Sequence, residues 1–144
     1  MDELRQAGLD KLNEVYAWEM RDMQGDPYFD LTVEHLFGSI WTRPGLSMRD
    51  RRMMVIAILC AQGQDDLLEV QVNAVLQNGE LAEDELKEMA VFITHYVGFP
   101  LGSRLNSALL KVAGKRKRAA ANGTADDRKA NVSAVLRKES GQSS

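Results

Sequence analysis

Cysteine is almost missing: Cys60 is the single thiol in 144 residues. One thiol excludes an intramolecular disulfide, a CxxC redox pair and a multi-thiolate metal centre within one chain. Histidine is scarce too. His35 and His95 leave little for a metal cluster, so no metal and no other cofactor is expected. There is no long apolar run: the longest, Met53 to Ala61, has nine residues, less than half of the roughly 20 that a membrane span needs. The opening MDELRQAGLD carries early acids and no apolar stretch of a signal peptide. The expectation is a cytoplasmic protein that does not enter the membrane. Aromatic residues are absent after Phe99, so the C-terminal part has nothing to stack on nucleic-acid bases.

What is present suits a globular domain. Hydrophobic residues make up 44% and charged residues 27%, which excludes a disordered chain on composition. The net charge of −3 hides an asymmetry. Residues 1–110 hold nine basic and eighteen acidic side chains, a balance of −9, and residues 111–144 have a balance of +6. The change comes at Lys115-Arg116-Lys117-Arg118, and past Ala113 apolar residues thin out. We therefore expect a helical domain over 1–114 and a basic, polar extension over 115–144. The basic run reads either as an attachment to nucleic acid or an anionic surface, or as a solvated helix end favourable to the helix dipole or a contact with an acidic neighbouring subunit. The second is preferred, and nucleic acid is not an expected partner.

Periodicity is helical almost throughout. Leu4, Leu9, Leu12, Tyr16 and Met20 recur every three to five residues and predict a first helix that stops before Gly25-Asp26-Pro27. A second helix is expected over about Asp30–Gly38, followed by a loop at Trp41–Leu46, where Pro44 and Gly45 break helical geometry. Ser47 is a natural N-cap for a third helix reaching Ala61, apolar all round from Met53 and so expected at the centre. Asp65 or Asp66 opens a fourth, which Asn78-Gly79 closes with Gly79 in the left-handed conformation. A fifth runs over about Glu83–Val97, and Gly98-Phe99-Pro100 separates it from a sixth carrying Leu101, Leu105, Leu109 and Val112. The fold class is all-α, about six helices, with the third and fourth forming a central antiparallel hairpin. So apolar a hairpin in so short a chain also predicts a homo-oligomer, with seven methionines and two tryptophans as adaptable contact surface.

Two stretches carry a family resemblance. HLFGSIWTRPGLSMRDRRMMVIAILCAQG and LLEVQVNAVLQNGELAEDELKEMAVFITHYVGFP resemble two blocks of the carboxymuconolactone decarboxylases, over about residues 28–112. The first block, with IWTRPGL, is similar to the γ-carboxymuconolactone decarboxylase branch. The second is shared with the wider alkyl hydroperoxidase D-like superfamily. The resemblance implies an alkyl hydroperoxidase D-like helical fold, trimeric or hexameric rings, and decarboxylation of a cyclic lactone acid from aromatic-compound catabolism. Departures from the family pattern bear on the chemistry. Gln71 stands where the decarboxylases usually have a histidine, and Ser39 where they have an acid. The thiol pair of the hydroperoxidase branch would fall near Gln64 and Leu67, so peroxide reduction has no nucleophile there. Cys60 reads as an inert core thiol.

Loss of CO₂ from a lactone acid needs a group that delivers a proton and a cation that holds a carboxylate. An amide such as Gln71 exchanges no proton near neutrality. The candidate catalytic residues are therefore Glu34 and His35, on the helix before the IWTRPG loop, and His95 ahead of Gly98. Each also has a plain structural reading, as a solvated or ion-paired carboxylate, an amphipathic filler and an interior or interface histidine. Candidate substrate contacts are Trp41, Arg43, Arg51, Gln71 and Tyr96, with Gln71 expected in a pocket between residues 34–41 and 96–100, near a subunit contact. The first function expected is a decarboxylase with a rearranged site, its ligand a small organic acid or lactone. The alternative is a binding or scaffold protein without catalysis.

Overall fold

The computed structural model describes residues 2–121. They form α1 (Glu3–Tyr16), α2 (Pro27–Leu31), a π-helix (Thr32–Ile40), α3 (Met48–Ala61), α4 (Asp65–Asn78), α5 (Glu83–Val97) and α6 (Phe99–Ala121). Among the described residues there is no strand. The all-α expectation, with six α-helices, holds.

Local chemistry explains most of the boundaries. Ser47 caps α3 by accepting from the Asp50 amide at 3.0 Å, and Gly79 ends α4 at φ 73°. At α5 the Glu85 carboxylate reaches back to the Ala82 amide at 3.0 Å. That is half of a capping box, because Ala82 has no side-chain acceptor. Asp26 caps α2 through the Tyr28 amide and Pro27 takes the first helical position, so this helix begins three residues before the expected Asp30. It widens without a break into the π-helix, where the Trp41 amide donates to the Leu36 carbonyl at 2.9 Å.

α1 ends sooner than the apolar spacing predicts. Ala17 takes the left-handed conformation at φ 54° and its amide turns back to Asn13 and Glu14. Met20 is in the same apolar cluster without being helical, because its amide donates to Asn13 Oδ1 at 2.8 Å.

The core has two parts. One joins α1 to the α2–π-helix segment through Leu9, Leu12, Val15, Phe29, Val33, Phe37 and Trp41. Gly8 lets α1 approach closely, since a Cβ there would collide with the Val33 carbonyl. The larger part fills the space among α3, α4, α5 and α6, with Ile56, Leu68, Val72, Leu86, Leu105 and Val112 fully buried. The expected α3–α4 hairpin is there. The most enclosed helix, however, is α4, where Gln71 to Val75 are all buried. α3 leaves Met54 and Ile58 about half exposed, because only its 52–56–60 stripe is fully turned into the core. α6 runs past residue 114 through the basic run, and Arg116 donates to Gln77 Oε1 on α4 at 3.0 Å. Residues 122–144, most of the expected extension, lie outside the described residues.

Candidate functional site

Gln71 faces inward from α4, as its place in an apolar helix requires, and is 5% exposed. Its partner is Arg52 on α3, fully buried, whose Nη1 donates to Gln71 Oε1 at 2.6 Å. The same guanidinium holds Glu80 through Nε at 2.7 Å and Nη2 at 3.1 Å. Asn78 completes the group, donating to Glu80 Oε2 at 3.2 Å and to the Glu14 carbonyl at 2.6 Å. Burial pushes the nearby Tyr16 hydroxyl up, against the opposing charge of Arg52. This cluster ties α1, α3, α4 and the α4–α5 turn together, and its charges cancel within it. The amide carbonyl of Gln71 is committed to Arg52.

Glu34 meets a similar fate. From the π-helix it accepts from Arg5 Nη1 at 3.1 Å, and Arg5 also binds Asp30 at 2.8 Å and Asp22. Arg5 holds the Asp22 carboxyl below its ordinary range through that hydrogen bond, against a smaller opposing effect of burial. The neighbouring His35 is exposed. Trp41 is 8% exposed and stacks on Phe37 at 6.0 Å, as part of the core. Arg51 spends Nη1 on the Leu46 carbonyl at 2.6 Å and Nη2 on the Arg43 carbonyl at 2.8 Å, bracing the loop. Arg43 itself is exposed. Tyr96 is 81% exposed with its ring 5.3 Å from that of Phe92. Cys60 is fully buried, its thiol pushed up by burial and aimed at the Leu101 carbonyl at 3.3 Å.

His95 is placed differently. With Ala90, Val91, Thr94, Phe99 and Gly102 it lines a largely apolar pocket of about 380 Å³ between α5 and α6. Lys87, Ser103 and Asn106 supply the polar edge. The helices come this close because Gly102 packs against Thr94, where a Cβ would collide with the Thr94 hydroxyl. Thr94 turns that hydroxyl back to the Ala90 carbonyl at 2.7 Å. The Lys87 ammonium donates to Asn106 Oδ1 and has donors to spare. His95 Nδ1 lies 2.7 Å from the Val91 carbonyl. A carbonyl only accepts, so Nδ1 carries the hydrogen and Nε2 is the nitrogen left for a ligand. The pocket thus offers a cation, a proton-exchanging ring and an apolar wall within two turns of α5.

Of the residues selected from the sequence, the structure therefore separates Gln71, Glu34 and Trp41 from His95. Lys87 and Asn106 were not among them. Lys87 is two helical turns before His95, a spacing that puts both on one face. Arg52 was also missed in favour of Arg51, although its i, i+4, i+8 register with Ile56 and Cys60 marks it as facing the core. Among the described residues no group of three His, Cys, Asp or Glu side chains is placed to hold a metal ion, and no helix is long and apolar enough to cross a membrane.

Comparison with known proteins agrees with the fold and with both sequence blocks. The chain is 39% identical over 64 residues to 4-carboxymuconolactone decarboxylase of Acinetobacter baylyi, a match covering 44% of this chain and 47% of that protein. It thus spans about half the length of this curated relative. No solved structure matches the chain. The model of the carboxymuconolactone decarboxylase family matches residues 26–110, from the cap of α2 into α6, and the chain belongs to that family.

Proposed function

We propose that this protein is a carbon–carbon lyase of the family's decarboxylase type, acting on a small cyclic carboxylic acid in the pocket between α5 and α6. The observation that carries this reading is His95. Among the acid–base groups selected from the sequence it alone lines the pocket described above, with a cation beside it. In this reading Lys87 holds a substrate carboxylate, and Val91 and Phe99 cover the apolar ring. The C–C bond to the departing carboxylate breaks and CO₂ leaves. The electron pair passes into the conjugated lactone, and His95 Nε2, having first taken up a proton from solvent, delivers it to the far carbon. The imidazole regains its proton from water. Val91 and Phe99 are exposed in the single protomer, and a second copy seated over them would exclude water, which supports the expectation of a homo-oligomer.

The second reading, a binding protein without catalysis, is favoured by the Arg52–Gln71–Glu80 cluster. It fills the place where the family's histidine stands by resemblance with an amide, which transfers no proton near neutrality. The experiment is incubation of the full chain with 4-carboxymuconolactone while CO₂ release is followed. Release above the buffer rate is the expected result. Binding of the lactone with no release supports the second reading instead.

A further inference from the structure

A second opening lies on the other side of α5. α3 and α5 are not in close contact along their length, and between them runs a groove of about 710 Å³. Its floor is Met53, Met54, Ala57, Met89, Phe92 and Ile93. Phe92 is 65% and Met54 46% exposed. The rim at the start of α5 is acidic, with Asp84, Glu85 and Glu88, and among the described residues only Glu85 has a cationic partner, Arg49 at 2.7 Å. A methionine-lined groove with an acidic rim fits an apolar segment flanked by positive charge.

One segment of this chain has that chemistry. Residues 128–138 read RKANVSAVLRK: Val132, Val135 and Leu136 are spaced i, i+3, i+4 between two basic pairs, with no acid among them. The way the chain leaves the described part puts this segment within reach. α6 runs antiparallel to α5, as the Lys87–Asn106 contact and the Thr94–Gly102 approach require. The end of α6 therefore lies past the N-terminal end of α5, where Asp84, Glu85 and Glu88 are. At the helical rise, Ala121 projects about 12–16 Å beyond Glu83. The six residues 122–127 span up to about 20 Å.

We propose that residues 128–138 dock in the α3–α5 groove of their own chain, with Val132, Val135 and Leu136 on the methionine floor and the basic pairs against Asp84 and Glu88. The docking covers the exposed apolar face of Phe92 and Met54 and brings the +6 part of the chain onto the −9 part. The test uses the full chain with ¹³C-labelled methionine methyl groups. Leu136→Glu is expected to move the Met53, Met54 and Met89 resonances, while Met20 and Met48, in the other apolar cluster, stay in place and report an intact fold. Glu88→Lys is expected to move the same three. Groove resonances that ignore Leu136→Glu overturn the proposal. So do groove resonances that change on dilution, which would place a second copy there.

Discussion

Arg52 illustrates how one side chain decides what another can do. A buried guanidinium is tolerable only with its donors satisfied, and here Glu80 and Gln71 satisfy them at 2.6 to 3.1 Å. Gln71 is therefore a structural ligand of Arg52, and the two are best regarded as one unit. Removing the cation leaves the buried Gln71 carbonyl without its donor and Glu80 without its counter-charge, with the Asn78 amide still on Oε2. Arg52→Ala is expected to cost about 3–5 kcal/mol in urea unfolding, whereas Arg43→Ala, at an exposed loop position, is expected to change stability by less than about 0.5 kcal/mol. That Gln71 is buried and needs a partner was legible from its apolar helix. Which partner was not. Spacing along α3 assigns Arg52 to a face, but what lies across from that face depends on how α3 and α4 are offset, and no periodicity records the offset.

At the scale of elements, helices with chemical stop signals were legible and those without were not. The Glu83–Val97 helix is found over the residues expected, because acids open it and Gly98 closes it. The first helix is shorter than its apolar spacing predicts because its terminator is Ala17, a residue with no sequence signature for the left-handed conformation it takes. The π-helix is equally silent. Val33, Phe37 and Trp41 are spaced by four, which suits an α-helix as well, and only the widened hydrogen bonds distinguish it. This element also depends on Gly8, over which the Val33 carbonyl sits. Gly8→Ala is expected to lower stability by about 1–3 kcal/mol, because the added methyl forces α1 away from the π-helix. Thermal denaturation followed by far-UV circular dichroism checks it, with Gly45→Ala, where a Cβ meets nothing, as the unaffected control.

At the scale of the whole molecule, the fold places three kinds of surface on one small bundle. Two salt-bridged clusters, around Arg5 and Arg52, fasten the N-terminal helix and the central hairpin and engage side-chain oxygens of Glu34 and Gln71. The α3–α5 groove is apolar with an acidic rim, and the α5–α6 pocket is apolar with a basic edge. A cyclic acid is favoured in the second and disfavoured in the first by charge alone. Of the candidate site, His95 was legible as one of two histidines near a predicted break. Its surroundings were not, since the pocket requires α6 to fold back along α5 at the distance that Gly102 permits. The central claim is that His95, and not the family's usual helix position, carries the proton. The measurement that tests it most directly is the rate of CO₂ release from 4-carboxymuconolactone by His95→Gln against the unaltered chain. A fall of about 10²–10⁴-fold, with lactone binding retained, is predicted. A rate unchanged by His95→Gln contradicts the account.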